Sequence, residues 1–407
     1  MLRITGCLVL VFTMLTVMAT PAPNFRNGWW RARLERKDGH DIVFNFEVKD
    51  SGGRQVLYIR NAGERLLVDD IKREGDSVLI RMPFYESQLR ARVTTEGNLE
   101  GVWLRHLASE WQAMPFKAVY GEGYRFAGSE PGAGVSVSGR WAAVFRAPGD
   151  STFRVGEFEQ RGSRVTGTFL DAGGDLRYLE GVVAGDSMKI SCFDGTHAYF
   201  FTARIDGNTM TGMQYSGPAA SATWTAHKDA SAKLENQFAM TKWNKDKPFT
   251  FTFRDLDGHE VSLSDPRFKG KVVLVQIMGS WCPNCMDETR FLSGFYDQYQ
   301  SKGVEVVALA YERSTDFARS SSSVRTFQQR FHVRYPMLIT GVTVGDPQRT
   351  EKTLPQLDAI ADFPTTIFVG KDGKIAMIHT GFSGPGTGAH YEDQKKEFYT
   401  IVDQLLK

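Results

Sequence analysis

From residue 28 to about residue 227, apolar and polar residues alternate with a period of two. Asp41-Ile42-Val43-Phe44-Asn45-Phe46-Glu47-Val48, Arg54-Gln55-Val56-Leu57-Tyr58-Ile59 and Val78-Leu79-Ile80-Arg81-Met82 all show it. That period sends successive side chains to opposite faces, as in half-buried strands. Gly and Asp turn signals recur about every ten residues, which predicts an antiparallel barrel or sandwich. Beyond residue 247 the rhythm changes. Residues 249–253 and 260–263 bracket Asp255-Leu256-Asp257-Gly258, a hairpin signal. Residues 271–277 and 304–310 are continuous apolar runs, the pattern of strands buried on both faces. Helices are expected after residue 282, over 316–331 and over 391–406. A second hairpin is expected around Lys371-Asp372-Gly373, from 365–369 and 374–379. Buried strands alternating with helices predict an α/β sheet covered on both sides.

The β-rich region reads as a duplication. Gly28-Trp29-Trp30 matches Gly139-Arg140-Trp141, Gly75-Asp76-Ser77-Val78 matches Gly185-Asp186-Ser187-Met188, Gly97-Asn98 matches Gly207-Asn208, and Trp111 matches Trp224. The offsets stay near 110 residues, so two copies of one module are expected and not a solenoid. A Gly/Ser/Pro-rich stretch at 128–139 serves as the linker. The tryptophans of this region read as core and strand-pairing residues, with a sugar-binding platform as the alternative. Cys192 reads as a small buried apolar residue. Residues 228–247 are polar and read as an exposed connection with few crossing contacts. The expected architecture is multidomain: a duplicated antiparallel β-rich region at 25–120 and 136–228, then an α/β unit at 246–407.

Composition narrows the class. The chain has 407 residues and a net charge of +2 from 49 basic and 47 acidic residues, so no field of one sign arises to attract nucleic acid. Arg3, the apolar run 8–18 and Val17-Met18-Ala19 form an export-signal pattern, with cleavage expected after residue 19. Ile4-Thr5-Gly6-Cys7 has the form of a lipoprotein box, but its apolar run follows the cysteine instead of preceding it. An exported location, in the periplasm or cell envelope, is the expectation. Without Cys7, only Cys192, Cys282 and Cys285 remain, too few for a disulfide scaffold.

Chemistry concentrates in Trp281-Cys282-Pro283-Asn284-Cys285, between a buried strand and a helix start. Free N–H groups and the positive end of the helix dipole favour a thiolate on the first cysteine, and the thiolate is the nucleophile. Two intervening residues put the second sulfur within reach. Cys282 is therefore expected to attack a disulfide and Cys285 to resolve the mixed disulfide. An inert disulfide is the bland reading. Half of a zinc site is another, but zinc needs about four ligands and no second cysteine pair exists. No cofactor beyond this dithiol is implied.

Gly270-Lys271-Val272-Val273-Leu274-Val275, Ser280-Trp281-Cys282-Pro283-Asn284-Cys285 and Asp362-Phe363-Pro364-Thr365-Thr366-Ile367-Phe368-Val369, followed by Lys371-Asp372-Gly373-Lys374-Ile375, together resemble the TlpA/ResA-like branch of the thioredoxin superfamily. The resemblance covers residues 248–407 and implies a thioredoxin-like fold and an exported disulfide reductase. It implies that Pro364 is a cis-proline facing the cysteines, and that Trp281, Pro283, Phe363 and Thr365 lie along an extended substrate strand. It also implies that Glu288 tunes the thiols or relays protons, although an acid in a helix's first turn is favourable in any case. Gln276 departs from the pattern, standing where thioredoxin itself carries a buried acid. The partners implied are disulfide-containing proteins and a membrane-linked thiol electron donor. Asp287 and Glu288 oppose strong thiolate stabilisation and so favour reduction, while Pro283 also occurs in DsbA-like oxidases. A disulfide oxidase or isomerase, a copper chaperone, and a β-module binding protein with accessory thiols are the rival readings.

Overall fold

A computed structural model describes residues 25–84, 86–127 and 135–407. The export-signal reading and most of the 128–139 linker fall outside them. Two antiparallel nine-stranded sheets, each barrel-like, precede an α/β domain.

In the first barrel the first strand, Gly28–Leu34, pairs with the last, Trp111–Tyr120, through Trp30↔Tyr120 and Leu34↔Phe116. The sheet runs as a meander to two edges, Glu64–Val68 and Asp70–Glu74. The second barrel repeats this order: Gly139–Ala147 pairs with Ala220–Lys228 through Phe145↔Trp224. Here an added pairing between Asp150–Arg161 and Arg164–Asp171 closes the ring. Alternation explains the strands. Ser77–Arg81 and Ser87–Val93 point Val78, Ile80, Leu89, Ala91 and Val93 inward, while Arg90 and Arg92 face solvent.

The duplication extends to individual bonds. Trp30 Nε1 donates to Arg26 O at 3.0 Å and Trp141 Nε1 to Val137 O at 2.8 Å, each four residues back and each indole fully buried. The Trp111–Trp224 equivalence is corrected. Trp224 lies opposite Phe145 as Phe116 lies opposite Leu34, and Trp111 is an exposed residue at a strand start. The tryptophan was matched on identity, whereas register assigns the place to Phe116. The copies also diverge at one strand. Glu64–Val68 has five residues, but its counterpart in the second copy, Gly174–Asp175, has two and touches the α/β domain at Phe382 before Leu179–Ala184 resumes the barrel sheet.

The C-terminal sheet has the order Glu260–Ser262, Thr252–Asp255, Met337–Ile339, Val304–Ala310, Val272–Met278, Thr365–Val369, Ile375–Thr380. Val272–Met278 pairs parallel with Val304–Ala310 and antiparallel with Thr365–Val369. Both of the central parallel strands are buried at every residue. Four helices accompany the sheet: α1 (Pro283–Tyr299), α2 (Phe317–Arg330), α3 (Arg349–Thr353) and α4 (Ala389–Leu406). Phe291 of α1 meets Phe398 of α4 edge to face, and His379 is walled in by Phe398 and Phe238, which drops its pKa to about 4. This is the thioredoxin-like α/β unit expected from the sequence.

The expectation of a loose connection at 228–247 is overturned. Thr241 is buried, Trp243 bridges to Leu357, and main-chain bonds tie Gln237 to Thr380, Lys242 to Asp358 and Asn244 to Gln356. Polar side chains disguised a segment whose backbone docks on its neighbour. The three units also interlock. Phe193 of the second barrel stacks on Phe44 of the first at 4.2 Å, and Arg319 of α2 pairs with Glu86 at 2.5 Å.

Candidate active site

The buried strand Val272–Met278 delivers Gly279-Ser280-Trp281 to the start of α1. Ser280 is clamped there by Glu312, which accepts from its N–H at 2.8 Å and its hydroxyl at 2.7 Å. Cys282 is the extended N-cap of α1 (φ −102°, ψ 116°) and Pro283 takes the first helical turn, where its missing N–H is no loss. The Cys282 Sγ accepts from the Cys285 N–H at 3.2 Å, so the sulfur fills the place of a capping oxygen. Cys282 is 4% exposed and Cys285 fully buried, and both are free thiols. Burial, the hydrogen bond to Cys282 and the charge of Cys282 push the Cys285 thiol well above its ordinary range.

Facing the sulfurs is the loop with the cis peptide Phe363–Pro364. The Cys282 thiol donates to Phe363 O at 3.7 Å. Trp281 and Pro283 are partly exposed beside Cys282; Trp281 donates to Tyr311 O at 2.8 Å and meets Phe363 edge to face at 5.4 Å. Thr365 departs from the expected substrate contact. It is fully buried, its hydroxyl donating to Asp362 O at 2.7 Å, so it braces the loop from below.

Glu288 lies one turn beyond Cys285, fully buried. Its oxygens accept from Thr366 at 2.7 Å and from Gln276 Nε2 at 2.8 Å, yet burial dominates and raises its pKa to about 7. The departure at Gln276 is thereby explained: this chain carries the buried acid on the helix and uses the strand glutamine to hold it.

Sequence reasoning missed four contributors. Asp287, read only as a first-turn acid weighing against the thiolate, is buried and bound by Arg177 of the second barrel at 2.5 Å. The same guanidinium reaches Glu64 of the first barrel at 2.5 Å. Asn284, between the cysteines, donates to Gly173 O at 3.1 Å. Asp362, next to Phe363, is raised to about 6 by burial. Glu312 gave no sign beyond its position two residues after the buried strand Val304–Ala310. The partners of Asp287, Asn284 and Glu312 are distant in sequence, so no motif could signal them.

Comparisons with known proteins cover the C-terminal region. Residues 244–394 match the Redoxin family. The thiol–disulfide oxidoreductase ResA of Bacillus thuringiensis subsp. konkukian is 32% identical over 125 residues, 31% of this chain and 62% of that protein. ResA of Geobacillus kaustophilus is 30% identical over 131 residues, 32% of this chain and 66% of that protein. ResA of Bacillus subtilis is 27% identical over 131 residues, 32% of this chain and 64% of that protein. The chain thus spans somewhat less than two thirds of the length of these curated relatives. Among solved structures, a thioredoxin-family thiol:disulfide interchange protein of Chlorobium tepidum TLS aligns with 20% identity and a TM-score of 0.30, over 39% of this chain and 94% of that one. A thiol–disulfide oxidoreductase of Bacteroides fragilis aligns with 18% identity and a TM-score of 0.28, over 37% and 97%. The C-terminal region is related to ResA-like thiol–disulfide oxidoreductases, and the barrels are left uncovered.

Proposed function

We propose that this chain, whose residues 244–394 match the Redoxin family, is a cell-envelope oxidoreductase that reduces protein disulfides through Cys282 and Cys285. The observation that carries the reading is the Cys282 sulfur capping α1, with the more deeply buried Cys285 one turn on.

The cycle follows from these positions. The Cys282 thiolate, held by the Cys285 amide, attacks a substrate disulfide. A Cys282–substrate bond forms, the substrate S–S bond breaks, and one substrate sulfur leaves as a thiolate that takes up a proton. Cys285 then loses its proton and attacks Cys282. The Cys282–Cys285 bond forms and the second substrate thiol is released. The substrate gains two electrons and two protons and the dithiol loses them; a membrane-linked thiol donor restores it. Burial and the neighbouring Cys282 make the Cys285 thiol hard to ionise. Glu288, with a pKa near 7, is the group suited to take its proton at neutral pH, through a water or by rearrangement. Trp281, Pro283 and the Phe363 carbonyl form the rim that a substrate chain meets.

A disulfide oxidase is the second reading, favoured by one specific observation. Arg177 counters the charge of Asp287, leaving less acidity at the head of α1 to oppose a thiolate. Two measurements decide. Cys285→Ala should accumulate substrate as a mixed disulfide on Cys282, and Cys282 should be alkylated first; trapping only in Cys282→Ala would reverse the roles. The reduction potential should lie well below the roughly −120 mV of a DsbA-like oxidant. A value at or above that, with rapid oxidation of unfolded dithiols, would make the protein an oxidase.

A further inference from the structure

Three loops of the C-terminal domain surround the thiols: the Cys282–Cys285 turn, the 362–364 loop, and the 381–384 loop, whose Gly381 N–H donates to Pro364 O at 2.7 Å. The tip of one hairpin of the second barrel, residues 171–177, lies against all three. Gly173 O accepts from Asn284 Nδ2 at 3.1 Å and from the Phe382 N–H at 3.2 Å. Gly174 makes a parallel bridge to Phe382, and Asp175 Oδ1 accepts from the Gly384 N–H at 2.6 Å. At Gly173 a methyl group would stand 2.8 Å from an Asp362 carboxylate oxygen.

The tip is anchored, not resting. Arg177, in the left-handed region at φ 60°, is 3% exposed at its side chain and grips Asp287 and Glu64 at 2.5 Å each, with Asp194 at 3.8 Å. Pulling it away would leave buried carboxylates without their cation. The tip is also where the two copies differ. The first copy continues its turn into the five-residue strand Glu64–Val68, while the second has only Gly174–Asp175 there, which contact the thiol-side loops before Leu179–Ala184 resumes the sheet. Glu86 of the first barrel and Thr196 of the second line a small cleft with Ser280, Trp281 and Arg313. Cys282 itself is only 4% exposed.

We propose that the 171–177 tip of the second barrel is a fixed wall of the substrate site, which admits disulfides on extended or unfolded chains and turns away those on the convex surface of a folded domain. This rests on the thiol-exchange role of Cys282 given above. A nearly buried thiol beside a fixed wall is within reach of a strand-like segment, whereas a rounded surface meets the wall first.

The test uses the reduced full-length chain with two probes, glutathione disulfide and folded insulin, reading dithiol oxidation by acid quench and alkylation. Gly174 has φ 134°, and a Cβ there would stand 2.2 Å from Phe382 O, so Gly174→Ala must push the tip off the loop. Asp175→Ala removes the Gly384 anchor by a milder route and carries the same reading if the first variant does not fold. The wild type should favour glutathione disulfide strongly, and either folded variant should raise the insulin-to-glutathione-disulfide rate ratio several-fold. An unchanged ratio in a folded variant overturns the wall, as does a parallel rise in both rates, which would mean altered thiol reactivity. If neither probe oxidises the wild-type dithiol, the thiol-exchange role itself falls.

Discussion

At the residue scale the decisive pairing is Glu288 with Cys285. An acid raised from its ordinary range to about 7 by burial is protonated in acid and ionises through neutrality. The resolving step in the wild type should therefore accelerate through pH 7, and in Glu288→Gln that inflection should vanish, as single-turnover kinetics against pH would reveal. Stability carries the opposite sign. Because the folded pKa lies above the unfolded one, the contribution of Glu288 is complete below about pH 4.5 and is lost as pH rises through about 7. Glu288→Gln should accordingly gain up to about 3 kcal/mol at pH 8 and little at pH 4; equal shifts at both would refute the buried-acid account. The cysteines and Pro364 were legible because their geometry is set within one loop each. The role of Asp287 was not, since its cation lies 110 residues away in another unit. Arg177 offsets the charge of Asp287, which the sequence alone set against the thiolate together with Glu288.

Among elements, the strands of both barrels and the central α/β strands were readable from periodicity, which burial enforces on every other residue or on all of them. Trp30 and Trp141 show how far the duplication goes, down to an indole bond of the same span. Trp30→Phe and Trp141→Phe should each cost at least about 1 kcal/mol in denaturant unfolding, since each removes a buried bond and leaves a carbonyl unpaired. Trp111→Phe should cost almost nothing, the ring being 52% exposed; a loss like that of Trp141 would restore the equivalence that register rejects. The short strands Met337–Ile339 and Gly174–Asp175 were not foreseeable. Their partners, and not their own residues, make them strands.

For the molecule as a whole, the α/β domain begins earlier than its hydrophobic pattern suggests. Residues 237–244 lay main-chain bonds on Thr380, Asp358 and Gln356, and Phe238 covers His379. A fragment of residues 235–407 should melt roughly 5–10 °C above one of residues 246–407, given about 1 kcal/mol for each of several buried bonds. Equal melting would return the segment to the status of a tether. Polar composition concealed it because the docking runs through backbone groups, which every sequence possesses.

The Arg177–Asp287 contact, two residues from Cys285, has a thermodynamic corollary. Linkage is reciprocal: if barrel docking biases the dithiol toward one oxidation state, that state strengthens docking by the same free energy. The protein's electron count should then be written into its mechanical cohesion. Reduced and oxidised full-length protein should differ in the temperature at which the barrels part from the α/β domain, and Arg177→Ala should erase that difference while lowering both temperatures. A redox-independent separation in the wild type would mean that the arginine holds the units together without sensing the thiols.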